Sequence, residues 1–331
     1  MHHKLTALLA ALILALGAPA VPQTAPAAPL PPRHVLPWPA LGTGDTPAMV
    51  SASLALGPEL NRGGSARELL ADRRALDAAL ENLRPQQPGT VEAYVVSVAL
   101  DSDPVFGREA REAGRVLARR YGADGRTITL AGPIGRGDTL PKGSPTSLTL
   151  VLAHIAELMD PAEDVLVLYT TSHGAPEGLA YHYGDSGYGL VSPLRLRSVL
   201  AELGIQRRIV LLSACYSGVF EPYIAGPDTV LVTAAAADRT SFGCRAENDW
   251  TFFGDALVNN ALRKPTPLAS AVEEARAAIA GWEASLALDA SQPRMSIGEG
   301  TARWLPTLEQ AVPRDAGTPV GAPAISGLRP R

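Results

Sequence analysis

Four short segments of this chain are almost wholly apolar and rich in Val and Leu: residues 92–100 (EAYVVSVAL), 164–171 (DVLVLYTT), 208–213 (RIVLLS) and 229–234 (TVLVTA). Runs this short and this rich in β-formers read as strands buried on both faces, and such strands occur in parallel sheets covered by helices. Between them lie stretches with helical periodicity. Residues 108–121 place Ala113, Val116, Leu117 and Tyr121 on one face, residues 147–159 form a second helix, and residues 193–203 a third, ended by Gly204. Residues 126–130 add a short strand, and 252–262 and 268–288 add two helices. The alternation predicts an α/β fold, a three-layer α/β/α sandwich with a mostly parallel sheet. Crossovers of this kind are right-handed, so ligands belong beyond the carboxyl ends of the strands, where the strand order reverses.

The chain has 331 residues, 46% of them apolar, which suffices for one large domain with a real core. Its net charge of −4 gives no electrostatic basis for gripping nucleic acid. Two cysteines exclude a disulfide-built scaffold and a four-cysteine zinc site. At the start, Lys4, an apolar run from Leu5 to Leu16 and then Ala18-Pro19-Ala20 make the three-part pattern of a secretory signal over residues 1–20. The run is shorter than the roughly 20 residues a bilayer span needs. The expectation is an exported chain, periplasmic or secreted, with no stable membrane insertion after cleavage. Residues 21–64 read as a Pro/Ala-rich arm or linker. Residues 65–88 hold a helix through Leu69, Leu76, Leu80 and Leu83, stopped by Pro85 and Pro88. Residues 89–311 form the domain, and 312–331 read as a disordered tail.

Several motifs can be set aside. Residues 132–139 (GPIGRGDT) have the glycine spacing of a phosphate loop but Asp138 where its lysine belongs, and Arg136-Gly137-Asp138 is a tripeptide that chance supplies easily. No Gly-x-Gly-x-x-Gly follows the first strand, and there is neither a Gly-x-Ser-x-Gly elbow nor a His-Glu-x-x-His. The strand ends are different. The strand at 164–171 runs into Ser172-His173-Gly174, and the strand at 208–213 into Ala214-Cys215-Tyr216-Ser217-Gly218. In a parallel sheet both emerge at one edge, with neighbouring tips about 5 Å apart. An imidazole and a thiol would meet there, beside glycines that let the backbone turn its N–H groups toward an oxyanion. Two readings of the cysteines stay open: Cys215 as a nucleophile, or Cys215 bonded to Cys244 in a structural disulfide. His34, His154 and His182 have no comparable setting and read as structural or solvent-facing.

A hydrophobic strand ending in Ser-His-Gly, followed about 40 residues later by one ending in Ala-Cys-x-Ser-Gly, resembles the legumain-type cysteine peptidases of the caspase/legumain clan. Residues 95–108 (VVSVALDSDPVFGR) are similar to the family's first strand and arginine-ended loop, and 232–255 to its later strand, hydroxyl turn and Gly-Asp. The resemblance spans residues 91–262. It implies a caspase/legumain-like fold, with Cys215 as nucleophile, His173 as general acid/base, and the N–H groups of Gly174 and Cys215 as oxyanion hole. It implies a substrate pocket from Arg108, Ser213, Thr240, Ser241 and Asp255, where a cation and an anion together suit a carboxamide. The implied activity is an exported cysteine endopeptidase acting on polypeptides, after Asn or Asp, with no metal and no cofactor. The alternatives are a non-catalytic interaction domain with a Cys215–Cys244 disulfide, and a transamidase using the same site. Two departures stand out. Ser213 replaces the family's acid two residues before the cysteine, and the asparagine that orients the family's histidine falls near Phe106 and is absent.

Overall fold

The computed structural model describes residues 31–133 and 138–327. The signal-peptide expectation, the first ten residues of the arm, the centre of the 132–139 loop and the last four residues lie outside them. The first elements are α1 (Pro47–Ala55), β1 (Glu59–Asn61), α2 (Ala66–Glu81), β2 (Ala93–Ala99), α3 (Pro104–Tyr121) and β3 (Thr127–Leu130). Then come α4 (Pro145–Leu158), β4 (Val165–Thr171), β5 (Gly174–Ala175), β6 (Gly178–Tyr183), β7 (Gly187–Val191), α5 (Pro193–Glu202) and β8 (Arg208–Ser213). The chain ends with α6 (Glu221–Ile224), β9 (Thr229–Thr233), α7 (Leu268–Ser285), β10 (Arg294–Ile297) and α8 (Leu305–Leu308).

The helix starts follow from local chemistry. Ser65 and Glu68 form a reciprocal capping box ahead of α2, while Ser144 and Ser192 cap α4 and α5 with proline in the first turn. Proline at its first residue also starts α3 at Pro104, earlier than periodicity alone suggested. Gly122, at φ 60°, ends that helix in the left-handed conformation glycine tolerates. The central sheet has the order β10-β9-β8-β4-β2-β3 and is parallel except for β10 on β9. Alternate residues of each strand serve two cores. Val95, Val167, Ile209, Leu211 and Val232 pack toward α3 and α7, and Tyr94, Val96, Leu168, Val210 and Leu212 toward α4 and α5. This is the three-layer sandwich expected, and the chain's excursion from β2 to β3 before β4 puts the reversal of strand order beside β4.

Three expectations are corrected. The arm is not featureless, because Thr46 caps α1 and β1 pairs antiparallel with β7 at the edge of a second sheet, β1-β7-β6-β5. Elements of nine and three residues are too short to show periodicity. The tail is docked over its described part: the Val320 carbonyl accepts from the Trp250 indole and Asn259, and Ala324 is 1% exposed. The helix near 252–262 widens into π turns over Gly254–Asn260. No helix among the described residues is long and apolar enough to cross a membrane.

Candidate active site

β4 and β8 are adjacent and in register, with Thr171 opposite Ser213, and the Ser172 N–H donates to the Ser213 carbonyl at 3.2 Å. His173 and Cys215 each follow two residues past that last pair, so both leave the sheet at one edge. A Cβ at Gly174 would sit 2.0 Å from the Cys215 carbonyl oxygen, so only glycine permits this close approach of the two strand ends. The turn at the cysteine is sharp: Tyr216 takes φ 56° without being glycine, held by its N–H on the Arg239 carbonyl at 2.8 Å. Such a conformation costs roughly 1–3 kcal/mol and persists only where its surroundings fix it.

Both cysteines are free thiols, without the Cys215–Cys244 bond of the second reading above. Cys244, the disulfide partner of the second reading, instead hydrogen-bonds the Cys215 sulfur as a thiol. That bond is the largest influence on Cys215. Burial opposes it, the Ser241 N–H at 3.2 Å and the charge of His173 reinforce it, and the thiol is lowered to about 6. Cys244 is pushed the other way, first by the same bond and then by burial, so it remains the proton donor of the pair. Burial also disfavours the His173 imidazolium. The Asp103 carboxylate, 3.6 Å from Nε2, and the charges of Asp101 and Cys215 outweigh it, and the pKa rises above the usual histidine value. Phe106 meets the imidazole edge to face at 4.9 Å. The lowered thiol and raised imidazole favour a thiolate–imidazolium pair, which is the reactive form of a sulfur nucleophile.

The expected substrate pocket does not assemble as a unit. Arg108 donates to the Ala246 and Asn248 carbonyls and lies 3.4 Å from Asp249, not beside Asp255. Asp255 is 1% exposed, and its carboxylate accepts from Asn259 (2.9 Å), Asn260 (3.0 Å) and the Ala324 N–H (2.7 Å). Its acceptors are used up in holding the π turns and the tail. Thr240 is exposed, whereas Ser241 touches the Cys215 sulfur through its backbone. Ser213 is buried and donates to Glu109 at 2.8 Å.

Sequence reasoning missed three residues. Asp103 lies against the His173 imidazole where Phe106 can offer no hydrogen bond, and its signal was present: Asp101-Ser102-Asp103 follows β2 after Leu100, at the same sheet edge as the other two strand ends. Cys244 acts as a thiol donor, which no sequence spacing reveals. Glu109, fully buried, accepts from the Tyr169 hydroxyl (2.6 Å), Ser213 (2.8 Å) and the Thr251 N–H (2.9 Å). Burial first, then the Glu109 charge and hydrogen bond, hold the Tyr169 phenol well above its ordinary value, so it stays a donor. A cavity of about 720 Å³, lined by α7, β10 and residues such as Glu221 and Gln292, contains none of this machinery.

Comparison with known proteins places this geometry in context. Residues 148–302 match the model of the Peptidase C13 family. No curated protein matches the chain. Among solved structures, caspase-1 from Spodoptera frugiperda aligns at a TM-score of 0.42 and 14% identity, covering 65% of this chain and 88% of that one. The structure of its proform, pro-sf-caspase-1, aligns at 0.42 and 13%, covering 64% and 92%.

Proposed function

We propose, from the match of residues 148–302 to the Peptidase C13 family, that this protein is an exported cysteine-type endopeptidase whose catalytic pair is Cys215 and His173. One observation carries the reading: a thiol lowered to about 6 leaves β8 at the same sheet edge where β4 delivers an imidazole raised above its usual value. The Cys215 thiolate attacks the scissile carbonyl carbon. The N–H groups of Gly174 and Cys215 receive the oxyanion, donors aimed where charge develops. The His173 imidazolium gives its proton to the leaving amine, and a thioester to Cys215 remains. His173, now neutral, takes a proton from water as the hydroxide equivalent attacks the thioester, which returns the thiolate–imidazolium pair. Asp103 keeps the imidazole turned and charged.

For the residue before the scissile bond, the cation and anion pass to Arg108 and Asp249, both partly exposed and 3.4 Å apart. A carboxamide satisfies a donor and an acceptor together, which supports asparagine there over aspartate. The test is a peptide library digested by wild type, Cys215→Ala and His173→Ala. Cleavage after Asn is expected from wild type, with each variant losing roughly a thousandfold or more while unfolding as cooperatively as wild type. Activity of Cys215→Ala within about tenfold of wild type would remove the reading.

A further inference from the structure

Outside the catalytic pair, the described residues contain one cluster of metal-ligating side chains. His34, Asp101 and His182 each present a ligand atom within 4.8 Å of the others. Two of the three are fixed by backbone. Asp101 and His182 bridge at the end of β2, where the His182 N–H donates to the Leu100 carbonyl and the Ser102 N–H to the His182 carbonyl, both at 2.9 Å. The third comes from the arm. His34 stacks on His182 with ring centroids 3.4 Å apart and planes 20° from parallel, and its Nε2 lies 3.5 Å from Asp101 Oδ1.

We propose that His34, Asp101 and His182 form a binding site for a borderline divalent cation, zinc foremost, that ties the N-terminal arm to the carboxyl edge of the sheet.

Two orphaned atoms point to a ligand. Asp101 is 3% exposed and its Oδ2 has no hydrogen-bond partner; His182 is 8% exposed and its Nε2 has none either. A buried carboxylate oxygen and a buried imidazole nitrogen without hydrogen-bond partners are each costly, and Oδ2 faces His182 Nδ1 at 4.0 Å, within reach of a shared cation. Asp101 Oδ1 accepts the Asp103 N–H at 2.8 Å, which orients the carboxylate. Outer partners of this kind fix metal ligands.

The donor set chooses the cation. Two imidazoles and one carboxylate suit Zn²⁺, Ni²⁺ or Cu²⁺, whereas Ca²⁺ and Mg²⁺ require six or more oxygens. Ligand bonds of about 2.0–2.1 Å in a tetrahedron put ligand atoms about 3.3 Å apart. Closing from 4.8 Å takes a shift of the order of 1 Å. The arm can supply that shift, because side chains hold it here: the Ser102 hydroxyl donates to the Pro32 carbonyl and accepts from His34 Nε2, His34 Nδ1 lies 3.9 Å from Asp103, the Val35 and Leu36 N–H groups donate to Asp185, and Trp38 meets His182 and Tyr188 edge to face. The cation would take His34 Nε2 in its other tautomer, the proton now donated to Ser102 Oγ having moved to Nδ1. With 19% of the His34 side chain exposed, water reaches the fourth position.

The catalytic thiols are themselves zinc ligands, so the test removes them. Zinc alone is titrated by calorimetry into the full chain carrying Cys215→Ser and Cys244→Ser, with calcium as a control. One equivalent of zinc and no calcium are expected. Adding His34→Ala or Asp101→Asn weakens zinc by about tenfold or more while the metal-free chain melts unchanged. Zinc also slows proteolysis of the chain near residue 34, and this protection disappears in His34→Ala. No uptake by the thiol-free chain, or uptake indifferent to both His34→Ala and Asp101→Asn, overturns the site. Uptake without protection of the arm overturns the tie.

Discussion

The Cys244 thiol is the largest single influence on the nucleophile, and removing it yields a quantity that can be worked out in advance. Hydrogen bonds to a charged group are worth about 1.5–3 kcal/mol, and the S–H donor belongs at the weak end. At 1.36 kcal/mol per pKa unit, Cys244→Ala raises Cys215 by about one unit. From a starting value of about 6, the thiol then titrates near 7. The thiolate fraction at pH 5.5 falls roughly eightfold, but each thiolate is more nucleophilic, by about threefold per unit. The two effects nearly cancel at pH 7 and leave a net loss of about threefold at pH 5.5. A rate measured at pH 7 is therefore a poor probe, and the midpoint of the acid limb is a good one. The assay is alkylation of Cys215 by iodoacetamide across pH, followed by intact mass with a chelator present. Wild type has a midpoint near 6, Cys244→Ala near 7, and Cys244→Ser, which keeps an O–H donor, lies close to wild type. A Cys244→Ala midpoint within about 0.3 unit of wild type refutes the argument and leaves Ser241 and His173 as what lowers the thiol.

Asp103→Asn removes the charge that outweighs burial at His173. The alkaline limb of kcat/KM should move to lower pH while the acid limb set by Cys215 stays, measured as full pH profiles in chelated buffer; an unmoved alkaline limb contradicts the orienting role. Glu109→Ala strands the Tyr169 hydroxyl and the Thr251 N–H in the core, while Ser213 keeps the Thr251 hydroxyl at 3.1 Å. At about 1–3 kcal/mol per orphaned group, urea unfolding should show a loss of about 2–5 kcal/mol, and a loss below about 1 kcal/mol would mean that water or repacking satisfies both.

The strands and the position of the proposed catalytic pair were legible because both are local. A buried β-strand is written in consecutive residues, and in a parallel sheet the residue after a strand must lie at the shared carboxyl edge. What the sequence hides is partnership across the fold. Cys244 approaches Cys215 from a loop 29 positions away, and His34 reaches Asp101 and His182 from an arm whose composition looked uninformative. Asp255 was misplaced for the opposite reason. Its Gly-Asp context suggested a pocket, but Asn259 and Asn260, four and five residues on, are near enough along the widened helix to claim its carboxylate first.

The acid two positions before the cysteine shows how a motif can lose a residue while the fold keeps its charge. In the sequence, Ser213 stands as a bare substitution that lowers negative charge at the strand end. In the fold, α3 carries Glu109 across to the same strand end, and the Ser213 hydroxyl donates to its carboxylate 104 positions away. A carboxylate on β8 would have met Glu109 in a site without solvent, and two like charges there cannot both ionise. The serine is thus the residue that Glu109 requires: short enough to make room and a donor rather than an anion. The two positions are coupled, so Ser213→Asp should be tolerated only together with loss of the Glu109 charge. In a double-mutant cycle with Glu109→Gln, Ser213→Asp alone should cost more stability than the pair by at least about 1 kcal/mol. Additive costs would show that Ser213 and Glu109 answer to separate constraints.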